Sequence, residues 1–483
     1  MKLYRIDRAF VCVAVLVVAA LQTACVGAMQ QYRLVDLGAL VCEGGPPTDP
    51  DCSVGHLNDW CEVAGFDKTP PPGLRTAHVW RPAPAGAAPI TLTLGPPDHD
   101  YNFILPLLFH ETPQPPMWVP RSGPNSSGFY AYDINNFGYV AGKGDGPRLA
   151  PIIWSTRYDP LNPSSRPSMY LVWPRNQVAI DSFLQAIADA NALPEHQRIA
   201  ARNLAIQVLR NSAMVLLYGA HAINDEYQVV GYGTFSTGSH AFVLRGRSGI
   251  QDLGALPNSS NSTSEASAIG EGGEVVGSSV NANGRTHAFY WDQLMGGAQL
   301  RDLGSLSTGA TDSSRAHAVN RWGVVVGESG VPGGRHAFRW DPTSGLQNLG
   351  DLPGGAAQSI AYAIRDGFEP NGSPARGDIV GRGTIAIGPG VVADGMRAVG
   401  WPGPSSPGMP NGAPIDLNTR IVPPAPNVTL IEAKGINNLG IISAKGVSQG
   451  IAHVYILVPW EADMPGVTGV TPYQDRCLGP FTQ

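Results

Sequence analysis

Residues 316–352 read "AHAVNRWGVVVGESGVPGGRHAFRWDPTSGLQNLGDL". Three phrases follow one another in this stretch. A small-residue run ends in Asn and turns into Val-Val-Gly; His-Ala-Phe-x-Trp comes next; a Leu-Gly phrase closes. The same order stands upstream, in "AHAINDEYQVVG" (220–231), "HAFVL" (240–244) and "QDLGAL" (251–256), and again in "ASAIGEGGEVVG" (266–277), "HAFYW" (287–291) and "RDLGSL" (301–306). A unit recurring at a spacing of about fifty residues is an architectural signal and takes precedence over any single residue.

Each phrase alternates apolar and polar residues, or is a short β-rich run bounded by Gly, Asn, Asp or Ser, and both patterns specify strands. Ile-Asn-x-x-Gly before Val is hairpin chemistry, because Asn caps a turn and Gly accepts positive φ. One unit is therefore four strands, the size of one propeller blade. Weaker copies extend the series: "GHLNDWCEVAG" (55–65), "AYDINNFGYVAG" (131–142), "AYAIRDG" with "DIVG" (361–381) and "AKGINNLGIIS" (433–443). "HVW" (78–80), "IIW" (152–154), "RAVGW" (397–401) and "HVYIL" (453–457) stand for the second phrase. Seven first phrases predict an all-β, seven-bladed β-propeller over residues 29–458. The last unit lacks its third phrase, and a spare one, "YRLVDLGAL" (32–40), lies near the N-terminus. That segment is expected to complete the last blade, leaving no open sheet edge. The small-residue phrase then lies innermost, where crowding at the axis favours Ala, Ser and Gly.

In these phrases the chain resembles the HAF-repeat family of bacterial extracellular proteins, over most of residues 30–458 and most strongly over 220–352. The resemblance implies export and a propeller-like repeat fold. It brings no catalytic residues with it, so function has to be read from sites.

The N-terminus, "MKLYRIDRAFVCVAVLVVAALQTACVGAMQ", places Lys2, Arg5 and Arg8 before an apolar run from Ala9 to Leu21. This reads as a signal peptide over residues 1–28, with cleavage before Met29. "LQTAC" ending at Cys25 matches part of a bacterial lipoprotein signal, with Gln22 where that pattern wants Leu; lipidation there would be the chain's one tie to a membrane. The expected destination is the extracellular space, the periplasm or the outer surface. Charged residues make up only 14% of the chain and the formal net charge is -6, which excludes a nucleic-acid footprint. A monomer is expected, and no cofactor. Cys42, Cys52, Cys61 and Cys477 remain after the signal peptide, an even count that suggests disulfides in an exported chain. No CxxC occurs, so no metal site is expected. Cys42–Cys52 is the expected local pair, with Cys61–Cys477 bridging from the first unit to the tail over 459–483.

His78, His240, His287, His336 and His453 fill one position of the repeat, and Asp36, Asp252, Asp302 and Asp416 another. Residues repeated in every blade are spread around a ring and cannot converge on one substrate, so both rows are read as scaffold. Site chemistry is sought where the refrain varies or breaks. Within the small innermost phrase one position changes from unit to unit: Tyr132, His221, Ser267, His317, Tyr362 and Lys434. These residues either line a central pocket or form contacts between blades. One break, over 96–128, carries Asp98, His99, Asp100, His110 and Glu111, a set able to supply a general base or simply to be a solvated loop. A second, over 174–217, has the 3-to-4 apolar spacing of a helical insertion: Val178, Ile180, Phe183, Leu184, Ile187. No nucleophile elbow, zinc-protease helix or phosphate loop occurs in a supporting context. Two functions stay open. One is a binding or interaction module for a protein or polysaccharide; the other is an extracellular hydrolase or lyase acting on a polymer, its site under the insertions.

Overall fold

A computed structural model describes residues 31–460, apart from 43–51, 70–73, 84–86, 95–100, 104–116, 120–127, 145–150, 157–167, 172–188, 190–215, 246–248, 294–298, 367–376, 386–394 and 404–410. Among these residues lie seven four-stranded antiparallel sheets, the blades of a ring. The innermost strands, in order from blade 1 to blade 7, are Ser53–Leu57, Phe129–Ile134, Leu216–Ile223, Ser264–Ile269, Ser314–Val319, Ile360–Ile364 and Val428–Ile436. Each blade then runs outward in sequence order, as blade 5 does through Val325–Val331, Gly334–Asp341 and Gly345–Gly350. Blade 7 is the exception. Its outer strand is Tyr32–Ala39, antiparallel to Ile451–Pro459 with Asp36 opposite Tyr455 and Ala39 opposite His453. The ring is closed by its N-terminal strand, as the spare phrase predicted.

The core is divided among the blade interfaces. Seven buried clusters alternate with the seven blades, each taking its residues from two neighbours. The aromatic that ends the second phrase faces the preceding blade. Trp154 packs with Ala64 and Val79 of blade 1, Trp291 with Ala222 and Val230 of blade 3, and Trp401 with Ala318 and Val326 of blade 5. All three are essentially sealed from solvent. Large rings opposite Ala and Val fill a wedge between twisted sheets without voids.

The histidine row is scaffold. His240 Nδ1 lies 2.9 Å from the Asp252 carboxylate on the adjacent outer strand, and Nε2 lies 3.1 Å from Ser262 Oγ. His453 pairs with Asp36 in the same way at 2.9 Å, and His336 with Asn348 Oδ1 at 3.1 Å. In blade 6 Arg397 takes the histidine position and its Nε lies 3.7 Å from Asp416. The outer-strand acceptors also cap the residue two further on: Gly254 N–H donates to Asp252 and Gly304 N–H to Asp302, both glycines having positive φ, and in blade 6 Asn418 N–H donates to Asp416. His-Ala-Phe and Asp-Leu-Gly are thus two halves of one clasp. In blade 1 the outer strand offers Thr93 instead, and His78 turns its Nε2 to Asp67 at 3.0 Å.

Blades 3 to 6 are stitched to one another by the serine that precedes the innermost phrase of blades 4, 5 and 6. Ala288 N–H in blade 4 donates to Ser314 Oγ in blade 5, whose hydroxyl donates back to Gly304 O; Ser264 and Ser359 repeat the motif. The turn asparagines form a second belt. Asn58 Nδ2 donates to Asn135 O of the next blade, Asn135 to Asn224 O, and Asn224 to Gly270 O; Asn437 returns to Asn58 O at 3.1 Å. Each asparagine caps its own turn with Oδ1, as Asn320 does for Trp322 and Val324.

Cys42 and Cys52 form a disulfide, the expected local pair. Cys61 is fully buried and also disulfide-bonded. Cys477 lies outside the described residues. The insertion over 96–128 contains a two-stranded hairpin, Tyr101–Phe103 with Met117–Val119. The expected helical insertion lies outside the described residues, save Asp189 in a helical turn and the start of the blade 3 strand at Leu216.

Candidate functional site

The varying position of the innermost phrase has a backbone cause. In blades 2 to 7 the pairing register between the first two strands shifts around the same repeat position, Tyr132, His221, Ser267, His317, Tyr362 or Lys434, and blades 3 and 7 shift a second time around Tyr218 and Ile431. Blade 1 shifts between Val54 and Leu57. A bulged residue is released from the ladder and its side chain is re-aimed. The glycine of Val-Val-Gly exists to allow this. A Cβ on Gly277 would stand 2.0 Å from Glu265 O, and one on Gly327 would stand 2.0 Å from Arg315 O. In these blades the innermost strand presses its carbonyl onto the second strand at the bulge, and glycine leaves room for it; blade 7 has Ala444 at the equivalent position.

The bulged side chains meet around the axis. Tyr132 and His221 touch edge to face with centroids 5.4 Å apart, and His221 Nδ1 lies 2.9 Å from Ala266 O. Tyr130 stacks on Tyr132 at 5.9 Å, and Tyr218 and Tyr232 extend this aromatic wall across blades 2 and 3. Opposite, over blades 5 to 7, the wall is charged. Lys434 Nζ sits 3.4 Å from the centroid of the Tyr362 ring and 3.1 Å from Glu432, and Arg382 lies 3.7 Å from Glu432. His317 packs against Tyr362 with centroids 5.5 Å apart.

Burial governs the protonation of this row. Burial pushes the His221 imidazole below its ordinary value, against the pull of Glu265. It drives His317 down to about 3, helped by Lys434, Arg315, Arg382 and, from across the ring, His56. His317 is therefore neutral, and its buried Nε2 has no hydrogen-bond partner. Burial works to raise the Glu432 carboxyl, and the Lys434 and Arg382 cations outweigh it, so Glu432 stays ionised. The Tyr362 hydroxyl is raised well above its ordinary value by burial and by Glu432. What this wall offers a ligand is aromatic faces on one side and an ion pair seated on a tyrosine on the other.

At the turn end of the innermost strands the channel widens into a cavity of about 150 Å³. Its throat is small and apolar (Ala222, Ala268, Ala318, Ala363), and its rim carries Asp59, Asn136, Asp225, Glu271, Asp366 and Asn438. These rim residues directly follow the cap position of each turn. Asp59 accepts from Asn438 Nδ2 at 2.9 Å and Asn136 Nδ2 donates to Asp225 at 2.8 Å, so the rim is linked blade to blade. Within the throat His56 Nδ1 lies 3.3 Å from Asp133. Burial, then Asp225, Asp366 and Asp133, pushes the Glu271 carboxyl up to about 7.

The structure thus brings Tyr132, His221, His317, Tyr362 and Lys434 together on one axis. Asp98, His99, Asp100, His110 and Glu111 lie outside the described residues, and with them the site expected under the insertions. Sequence reasoning missed Glu432, Arg382 and the acidic rim. The rim had a signal, since the residue after the cap position is acidic or amide in six of the seven turns, but Asn and Asp are ordinary in turns. Among the described residues no group of His, Cys, Asp and Glu could hold a metal ion.

No family model and no curated protein matches the chain. Among solved structures it is similar to a chain of the "Crystal Structure of Mitotic Checkpoint Complex", with TM-score 0.38 and 10% identity over 88% of this chain and 93% of that one. It is also similar to "Trypanosoma rangeli sialidase in complex with sialic acid", with TM-score 0.27 and 8% identity over 89% of this chain and 57% of that one. Neither likeness is close enough to carry an argument about this chain.

Proposed function

We propose that this is an exported binding module, a propeller of the HAF-repeat kind, that takes its ligand along the ring axis. One observation carries the reading. A register shift in every innermost strand frees side chains from the ladder, and those freed at the repeated position in blades 2 to 7 differ in chemistry while the surrounding scaffold repeats. A fold that holds its backbone constant and varies an axial row is organised for recognition. Aromatic faces beside a desolvated ion pair suit the polar, partly apolar end of a polysaccharide or an extended protein segment. The Cys42–Cys52 disulfide fits an oxidising compartment outside the cytoplasm. No helix among the described residues is long and apolar enough to cross a membrane.

The test is a glycan and peptide array probed with the full chain, followed by titration of whatever binds. Tyr132→Ala and Lys434→Ala should each weaken the hit at least about tenfold, the loss expected when an aromatic or charged anchor is truncated. His336→Asn, which alters the scaffold clasp away from the axis, should leave it intact. A hit bound equally by all three variants overturns the axial reading.

A further inference from the structure

The other end of the channel carries a second surface, formed by the turns. Trp60, Phe137 and Trp322 occupy equivalent turn positions and are exposed at 48%, 39% and 45%. Phe137 stacks on Tyr227 of the next turn at 5.3 Å, and Trp60 Nε1–H donates to Asn136 O, which fixes its ring beside the mouth. Exposed aromatic rings held at the rim of a cavity form a candidate recognition surface.

The charge of the mouth decides what would cover it. Asp366 is matched by Arg321 at 2.8 Å and Asp133 by His56. Asp59, Asp225 and Glu271 are bonded only by amides and backbone N–H groups among the described residues. Three carboxylates facing one small cavity with no cation of their own complement a positive guest. Lysine and arginine carry an apolar stem that suits the Ala-lined throat and a charged head that suits aromatic faces.

We propose that this face docks a basic peptide segment of a partner protein, one lysine or arginine side chain entering the mouth between Asp59, Asp225 and Glu271 while flanking residues lie on Trp60, Phe137 and Trp322. Apart from His56 in the blade 1 bulge, the surface uses none of the bulged side chains.

Binding should release a proton. The groups facing Glu271 are Asp225 from blade 3, Asp133 and His56 in the throat, Asp59 from blade 1, Arg321 from blade 5 and Asp366 from blade 6. With its carboxyl at about 7, Glu271 is largely protonated near pH 6 and ionised near pH 8. A cationic guest favours the ionised form, so affinity rises with pH across that window.

The experiment titrates the full chain with capped hexalysine and with capped hexaglutamate, read by tryptophan fluorescence at about pH 6 and about pH 8. Hexalysine should bind, several-fold tighter at the higher pH, and hexaglutamate should not. Glu271→Gln should weaken hexalysine about fivefold at pH 8 and lose most of the pH dependence. Asp225→Asn, a second variant should the first fold poorly, should weaken it at both pH values. Tyr132→Ala should leave hexalysine binding unchanged, which separates this result from the axial reading. Equal binding by the parent, Glu271→Gln and Asp225→Asn would mean diffuse attraction to an acidic protein and would overturn the proposal, as would no binding at all.

Discussion

His287, on the third strand of blade 4, and His317, on the innermost strand of blade 5, are the same residue under opposite regimes. His287 is held between two carboxylates, Asp302 at 2.8 Å from Nδ1 and Asp312 at 2.9 Å from Nε2. Carboxylates only accept, so both ring nitrogens donate and the imidazolium is favoured. Its pKa is raised, by the Asp302 hydrogen bond first. His317 has cations around it and an unpartnered Nε2, and its pKa is depressed to about 3. His287 in the repeated row completes a clasp, whereas His317 in the bulged row leaves its Nε2 without a hydrogen bond among the described residues. The difference separates scaffold from site without any appeal to similarity.

The largest effect should come from the glycine that makes the bulge. Gly327→Ala forces a methyl against Arg315 O, and overpacking at rigid backbone should cost about 3 kcal/mol or more. The urea midpoint of the full chain measures it. A tolerated alanine would mean that blade 5 accommodates the methyl as blade 7 does at Ala444, and the bulge would not depend on the glycine.

Next is the clasp. His287→Leu removes two charge-assisted hydrogen bonds, but Asp302 and Asp312 can reach water, so the loss should be about 1–2 kcal/mol. A pH series sharpens the contrast. Because the folded pKa of His287 is raised, its contribution is complete below the unfolded value of about 6.5 and is lost as pH rises through the folded pKa. The variant should therefore flatten the alkaline side of the stability profile, and should also soften the acid limb to the extent that, against burial, His287 holds the Asp312 carboxyl low.

The smallest effect belongs to His317. His317→Leu removes a buried polar atom that bonds to nothing, and stability should stay within about 1 kcal/mol of the parent or rise. The pH signature should be the mirror image. A depressed folded pKa means the unfolded chain binds a proton between about 3 and about 6.5 that the folded chain refuses, so stability falls as pH drops through that window. The leucine variant should flatten the acid limb. A steepened acid limb would reveal a partner for Nε2 and make His317 part of the scaffold.

The fold was legible because it repeats. Three phrases in fixed order fixed the strand order within a blade, and "YRLVDLGAL" standing apart from its unit announced the closure that Tyr32–Ala39 makes with Ile451–Pro459. The axial row was visible as variation amid alanine, as at Tyr132 and Lys434. Its bulge was not, because a register shift leaves no mark in the innermost strand's own residues; the mark is on the facing strand, as the glycine of Val-Val-Gly. Glu432 and Arg382 stayed hidden because the pairing that seats them beside Tyr362 joins two blades. The rim acids were hidden by their ordinariness in turns.

Closure also sets an order of events in time. Tyr32–Ala39 precedes every complete blade, yet its partner strand ends at Pro459, and the clasp between Asp36 and His453 spans 417 residues. Contacts this distant in sequence form late and slowly. Each blade can assemble as it emerges, but the first strand has to wait for the last blade with its backbone groups unspent. Until then the nascent molecule carries two open edges that fit each other and also fit any copy beside it. At high concentration, joining the first strand of one chain to the last blade of another is the failure this topology invites.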